Sequence, residues 1–352
     1  MASSGQNDEN QGTRMPLSTS IKGAIKGVMQ GTGAVGVATH LVRPDVVILR
    51  YHSIQPSCDG ERGAMVRGLV HPLSVFSAQM ETLAHHYNPV TVEDIFTYLC
   101  EGREIPRRSV AVTFDDGYED NYELAAPVLH RLGIRASFYI MVSSIGGSTS
   151  PWYRRLDHAF ATTSKKTWAD STENCKRELA DYPSRKAAFL IASRRCACLC
   201  GEMQSGAVRT IEDELEVAPL TKQQCPMMNS EQLQELQRAG HIIGSHTVSH
   251  PNLAQIGNDD LHREVIESKL QLERLLDAPV THFSYPSPIL QPHYTEETIT
   301  ATKKAGYRTA VTCTSGPVRA GHNPLQLTRI TVPFELKEFR WVVDCTLIGR
   351  RV

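Results

Sequence analysis

Two short stretches of the chain carry residue types suited to metal-assisted hydrolysis. The adjacent acids Asp115 and Asp116 follow an apolar run, and about 130 residues later His246 and His250 stand four positions apart. Adjacent carboxylates at the end of a buried strand repel each other and lose hydration, so a cation or a proton must neutralise part of their charge. Two imidazoles and one carboxylate can hold a catalytic ion, and the remaining carboxylate can act as a general base.

Each motif also has a simpler interpretation when it is considered alone. Asp115, Asp116 and Gly117 suit a turn after a strand, because Asp and Gly favour such positions. His246 and His250 could be hydrogen-bonded histidines in a loop that ends at Pro251. Both motifs together, each following a predicted strand, favour the metal site.

The elements that must position these residues alternate between strand and helix. Apolar runs predict strands at 46–51, 110–114, 136–142, 241–244, 281–285 and 309–312, and helical periodicity predicts helices at 72–87, 92–100, 124–132, 231–239, 259–276 and 296–305. This alternation favours a parallel sheet or barrel of the α/β class. In parallel barrels sites gather at the C-terminal ends of the strands, where Asp115, His246 and Tyr285 are expected.

The pattern predicts one main domain with a leader and an insertion. Residues 1–42 form a flexible or weakly helical leader, because polar residues and glycines dominate it. Residues 43–352 form the main domain, interrupted at about 147–227 by a charged, mainly helical insertion. The letters of 31–36 match a dinucleotide-binding fingerprint, but no strand precedes them and no acid follows at the expected distance, so a flexible connection is the better interpretation.

Composition excludes several classes of protein. The 352 residues include 37 basic and 38 acidic side chains, so no global field favours nucleic acid or anionic lipid. Nine irregularly spaced cysteines argue against a disulfide scaffold, and Cys196 and Cys200 are expected to pack on one helical face. No apolar segment reaches the length of a membrane span, which predicts a cytoplasmic protein or one peripheral to the membrane.

The sequence T-F-D-D-G-Y at 113–118, followed by G-S-H-T-x-x-H-P at 244–251, resembles the NodB-homology polysaccharide deacetylases, carbohydrate esterase family 4. The resemblance extends from about Val46 to Val332. It implies a distorted (β/α)7 barrel that removes acetyl groups from N-acetylated sugars with a divalent ion, most often zinc. It also implies that Asp115 is the base and that Asp116, His246 and His250 are the metal ligands.

Three departures from the family pattern concern the rest of the site. The segment 284–288 reads S-Y-P-S-P where many members have R-x-P-Y-G. The Ser287 backbone amide can still bind an oxyanion. Arg329 of the last strand could take the role of the missing arginine. The alternative is that this role is unfilled and that Arg329 forms an ordinary salt bridge. Pro288 stands where the family has glycine and would stiffen this loop.

The family's usual general-acid segment, L-x-H, is also missing near the C-terminus. The chain instead resembles the subgroup of poly-N-acetylglucosamine deacetylases that carry a Tyr-His pair on the first strand, here Tyr51 and His52. We therefore expect His52 to protonate the departing amine. The alternative is a histidine that is only hydrogen-bonded at a strand end.

Substrate contacts are expected from Trp152, Tyr153, Tyr285 and Arg329, although Trp152 and Tyr153 could equally anchor the insertion on the barrel. The sequence predicts a metal-dependent deacetylase of an N-acetylated saccharide or glycolipid, with no nucleic acid partner and with membrane contact left open. Two alternatives remain at this point: a metal-dependent hydrolase of a small non-sugar amide, and an inactive saccharide-binding domain.

Overall fold

The computed structural model describes residues 45–57, 65, 68–147 and 149–350. The predicted leader and the glycine-rich segment 31–36 lie outside this part of the chain. The strands are β1 (Val46–Tyr51), β2 (Ser53–Gln55), β3 (Val70–Pro72), β4 (Asn88–Val90), β5 (Ser109–Phe114), β6 (Ala136–Ile140), β7 (Thr167–Asp170), β8 (Cys175–Glu178), β9 (Ile242–Ser245), β10 (His282–Ser284), β11 (Thr309–Val311) and β12 (Ile330–Thr331).

The helices follow the strands in the predicted alternation. They are α1 (Leu73–His86), α2 (Val92–Cys100), α3 (Ala126–Arg131), α4 (Trp152–Thr162), α5 (Tyr182–Ala197), α6 (Gly201–Glu214), α7 (Ser230–Arg238), α8 (Asn258–Leu276), α9 (Glu296–Lys304) and α10 (Leu336–Leu347). Among the described residues, none of these helices combines the length and the apolar character needed to cross a bilayer.

The central sheet is parallel and curls into a barrel. Its strand order is β11-β10-β9-β6-β5-β1-β12, and β4 pairs with the first half of β5. Leu327, which precedes β12, bridges in parallel to Val311 of β11, while Ile330 of β12 pairs with Leu49 of β1. The segment around β12 therefore joins the two ends of the sheet, and the predicted distorted (β/α) barrel is confirmed.

Alternate residues of the strands pack on opposite sides of the sheet. In β1, Val47 and Leu49 belong to the large cluster that includes Phe76 of α1, whereas Val46 and Ile48 pack in a second cluster. This period of two, with both faces buried, is typical of strands covered by helices on one side and by the barrel interior on the other. It fixes which side chains at the strand ends face the interior.

The predicted helix at 124–132 is divided into two parts. A π-helical turn spans Asn121–Ala125 and α3 begins at Ala126. Pro127 explains the change, because its ring nitrogen cannot donate the hydrogen bond that a continuous α-helix would need at this position.

The insertion between β6 and β9 has its own hydrophobic core. Helices α4, α5 and α6 pack together around Trp168, which is fully buried. The expected helices are present, but the segment also contains the antiparallel hairpin β7–β8, which the sequence analysis did not predict.

The expectation that Cys196 and Cys200 share one helical face is wrong. Helix α5 ends at Ala197, and Cys200 is the residue that precedes α6, so the two cysteines lie on either side of a helix boundary. Both are buried, and all the described cysteines are free thiols.

Candidate metal centre

Three side chains from two strand ends meet beneath a cavity. Asp116 follows β5, His246 follows β9, and His250 lies four residues further along the same loop. The Nε2 atoms of His246 and His250 lie 3.5 Å and 3.7 Å from Oδ1 of Asp116. All three side chains are buried, and one ligand atom from each lies within 4.8 Å of the others.

This arrangement fits a divalent cation. Ligand atoms about 2.1 Å from a tetrahedral ion stand roughly 3.4 Å apart, close to the spacing between Asp116 and the two imidazoles. Oδ1 of Asp116 is buried and has no hydrogen-bond partner, which is costly unless a cation balances it. Burial raises the pKa of Asp116 to about 6, and the negative charge of the adjacent Asp115 acts in the same direction.

The orientation of His246 is set by a hydrogen bond on its other ring nitrogen. Nδ1 of His246 lies 2.7 Å from the backbone carbonyl oxygen of Ser284 at the end of β10. A carbonyl can only accept, so Nδ1 carries the proton and the lone pair of Nε2 faces Asp116. Burial lowers the pKa values of both His246 and His250 to about 4, which keeps both rings neutral and able to bind a cation.

The backbone around the ligands adopts conformations that side chains normally avoid. The φ angles are 77° at Asp116, 68° at Thr247 and 58° at His250, all in the left-handed region. Such residues persist only where neighbouring contacts impose the conformation. One contact is a hydrogen bond of 3.0 Å from the His250 amide to Oγ1 of Thr247.

Glu264 of α8 fixes the loop that carries His250. Its Oε2 accepts hydrogen bonds from the backbone amides of Val248, at 2.8 Å, and Ser249, at 2.9 Å, and its Oε1 accepts one from Oγ of Ser249 at 2.6 Å. Glu264 is 2% exposed. The sequence analysis missed this residue, because one acid within an amphipathic helix gives no sign that it is buried.

Asp115, the predicted base, forms a bidentate ion pair with Arg329. The guanidinium donates from Nη1 to Oδ1 and from Nη2 to Oδ2 of Asp115, both at 2.7 Å. Although burial opposes ionisation, this bidentate contact holds the pKa of Asp115 well below its usual value. Ser284 adds a third contact, because its Oγ donates to Oδ1 at 3.2 Å.

The expectation that Arg329 contacts substrate is therefore corrected. Its side chain has 0% of its surface exposed, so it cannot reach a molecule in the cavity. The other interpretation, that Arg329 replaces the arginine missing from the segment 284–288, agrees with the geometry. This contact joins residues that are 214 positions apart in the sequence.

His52 lines the same cavity as Asp116 and His250. Burial lowers the pKa of His52 well below its usual value, and the nearby guanidiniums of Arg50 and Arg329 act in the same direction. The imidazole is therefore neutral near pH 7. It must take up a proton before it can act as the predicted acid.

The other predicted site residues fall into two groups. Trp152, Tyr153 and Ser287 line the cavity, and Nε1 of Trp152 donates to the backbone carbonyl oxygen of His250 at 3.0 Å. Tyr285, in contrast, is 1% exposed and borders a neighbouring cavity, and its hydroxyl donates to the carbonyl oxygen of Leu325 at 3.1 Å. Tyr285 is not among the described residues that line the cavity of Asp116 and His250.

The comparisons with known proteins agree with this architecture. Residues 102–310, more than half of the chain, match the sequence profile of the polysaccharide deacetylase family. YxkH of Bacillus subtilis (strain 168), a protein named for that family, is 23% identical over 286 residues, which cover 81% of this chain and 70% of YxkH.

Two solved structures share the fold. The Streptococcus pyogenes deacetylase PplD in complex with acetate is 19% identical, with a TM-score of 0.57 over 86% of this chain and 99% of PplD. IcaB from Ammonifex degensii is 17% identical, with a TM-score of 0.57 over 87% of this chain and 98% of IcaB. The chain belongs to the polysaccharide deacetylase family, whose members hydrolyse the amide bond of N-acetylated sugars.

Proposed function

We propose that this protein is a metal-dependent deacetylase of an N-acetylated saccharide or glycolipid, with zinc as its ion. The observation that carries the proposal is the convergence of ligand atoms from Asp116, His246 and His250, of which Asp116 and His250 line one cavity. Two neutral imidazoles and a carboxylate are a ligand set that zinc accepts. Membership of the family supplies the reaction class.

Asp115 is suited to take a proton from water as that water attacks the acetyl carbonyl. Arg329 fixes both of its oxygens and lowers its pKa, so it accepts a proton only from an acidic donor. A divalent cation at Asp116, His246 and His250 would supply that acidity, because it lowers the pKa of water from 15.7 toward about 7.

Two further residues complete the proposed reaction. The backbone amide of Ser287, in the loop after β10, would donate to the carbonyl oxygen as negative charge develops there. His52 would take up a proton and pass it to the departing amine, so that the sugar leaves with a free amino group and acetate is the second product.

The contact between Arg329 and Asp115 bears on one alternative. Two features suggest an inactive saccharide-binding domain: the arginine missing from the segment 284–288, and Pro288 in the same segment. The bidentate contact of Arg329 with Asp115 supplies the positive charge that this segment lacks, which supports an active enzyme over that alternative.

The experiment is an acetate-release screen over N-acetylated saccharides, run on the purified protein with zinc, with cobalt and with a chelator. Asp115→Asn should lower turnover by a factor of about 10² to 10⁴ while zinc content stays at the wild-type level. Asp116→Asn is the matched control, because it should lose both turnover and zinc. Full activity of Asp115→Asn in zinc-replete protein would refute the assignment of the base.

A further inference from the structure

Helix α5 of the insertion presents a stripe of side chains to the cavity that is lined by two of the candidate metal ligands. Lys186, Phe189, Leu190 and Ser193 all line that cavity, together with Asp116 and His250. Their spacing of three, four and seven residues places them on one face of the helix. The α5 stripe, meaning these four residues, is therefore a wall of the proposed active site that belongs to the insertion and not to the barrel.

Three aliphatic side chains line the cavity on or next to this wall. Leu190 and Leu69 are half-buried, and Ile289, from the loop after β10, is 37% exposed. All three line the cavity. Aliphatic groups cannot hydrogen-bond to sugar hydroxyls, and a hydroxyl pressed against them loses hydration without compensation. A hydrocarbon group gains free energy in the same position, because both surfaces leave water.

Ser193 provides an independent sign that a ligand approaches the α5 stripe. It is 3% exposed, and its Oγ is buried without a hydrogen-bond partner. Helical serines usually bond to a carbonyl of the preceding turn or face water, and buried hydroxyls are rarely left unpaired. An oxygen of a molecule bound in the cavity would satisfy this group.

We propose that the apolar members of the α5 stripe, Phe189 and Leu190, form a subsite for hydrocarbon together with Leu69 and Ile289, and that Ser193 bonds to an oxygen of the same ligand. The substrate is then an N-acetylated sugar that carries an alkyl or lipid aglycone, rather than an unsubstituted polysaccharide. The sugar lies at Asp116 and His250, and the aglycone lies along the aliphatic wall. The cavity volume of about 410 Å³ is within the range of sites that enclose a whole small ligand. This proposal depends on the proposed function, because it places the acetamide at the metal ligands.

The test is a series of alkyl glycosides of N-acetylglucosamine with methyl, butyl, hexyl and octyl chains, each below its critical micelle concentration. The zinc-loaded full chain is used, and kcat/KM is measured by acetate release. Each fully buried CH2 group should raise kcat/KM about fourfold. The longer chains are expected to be only partly buried, so kcat/KM should rise at least roughly tenfold from the methyl to the octyl glycoside. Unsubstituted N-acetylglucosamine oligomers should be poorer substrates than the octyl glycoside.

Leu190→Asn should reduce the ratio of octyl to methyl kcat/KM by about fivefold or more, because a polar side chain then faces the alkyl chain. The matched control is Leu270→Asn, which changes an equally apolar residue on α8 that is 42% exposed and is not part of the cavity wall. The ratio of two substrates on one protein sample does not depend on the folded fraction. Poor folding therefore cannot imitate the effect.

Three results would overturn the subsite: a ratio near one in the wild type, faster turnover of the unsubstituted oligomers, or equal ratios in the two variants. Calorimetry with the octyl glycoside separates this failure from failure of the proposed function. If no substrate releases acetate but the octyl glycoside binds, and binds more weakly to Leu190→Asn, the subsite stands and the deacetylase assignment fails. If there is neither binding nor acetate release, both fail.

Discussion

Glu264 is expected to control zinc binding although it is not a ligand. Its carboxylate accepts two backbone amides and one hydroxyl from the loop that ends in His250. Removing the carboxylate in Glu264→Ala leaves two amides without acceptors, at a cost of about 1 to 3 kcal/mol each. We expect Glu264→Ala to lower the free energy of unfolding by roughly 3 kcal/mol, because part of the loop can relax toward water.

Glu264→Gln should lower the free energy of unfolding by only about 1 kcal/mol. The side-chain amide oxygen can still accept both backbone hydrogen bonds, but these bonds lose the extra strength that the negative charge gives them. Zinc affinity should also fall more in Glu264→Ala than in Glu264→Gln. Loss of a group that orients a metal ligand typically lowers metal affinity by about 10- to 100-fold. His250, whose backbone is left-handed, lies in the loop that Glu264 holds. Glu264→Ala should fall at the upper end of that range.

Urea unfolding of the zinc-free protein measures the stability, and competition with a chromophoric chelator measures zinc affinity. Glu267→Ala is the control, since it removes an exposed acid from the same helix. If both Glu264 variants match Glu267→Ala in the two assays, the loop does not depend on this carboxylate and the reasoning is wrong. A loss of stability with unchanged zinc affinity would limit Glu264 to a structural role.

Two further predictions concern Arg329 in the site and His241 in the core. Arg329→Lys keeps the positive charge but removes the two-pronged contact with Asp115, so kcat should fall at least about tenfold with zinc content unchanged; equal kcat would contradict the positioning role. His241 accepts from the backbone amide of Ala136 and pairs with His130, and burial lowers its pKa to about 4. In the unfolded chain the His241 imidazole takes up a proton near pH 6.5, whereas in the folded protein it stays neutral until about pH 4. The folded state is therefore fully stable with respect to this group above pH 6.5 and loses up to about 3 kcal/mol as the pH falls toward 4. Urea unfolding between pH 7 and pH 4 should therefore show a steeper loss in the wild type than in His241→Gln; parallel curves would contradict the assignment.

Local periodicity was sufficient to predict most of the barrel. The strand at 46–51 and the helix at 92–100 were predicted with the bounds that the structure has, because each has a strong apolar pattern. The hairpin β7–β8 was missed, since its residues are mostly polar. It depends on contacts that only the folded insertion supplies, including the buried Trp168 and the pairing of Asp170 with Arg195.

The candidate site was predictable to the extent that its residues lie in short motifs. Asp116, His246 and His250 follow strands that any parallel barrel brings together. Glu264 and Ser193 could not be identified, because their burial depends on which elements pack against α8 and α5. Sequence alone could name Arg329 only as a candidate, since its pairing with Asp115 results from closure of the barrel.

The late position of Arg329 in the chain has a consequence for biosynthesis. Asp115 leaves the ribosome more than two hundred residues before Arg329, whose guanidinium neutralises it. During that interval the end of β5 would bury an unpaired charge if the sheet closed, so the growing chain should keep this end hydrated and open. Translation must therefore reach β12 before the nascent enzyme can seal its interior, and a ribosome stalled earlier should display a protease-sensitive intermediate.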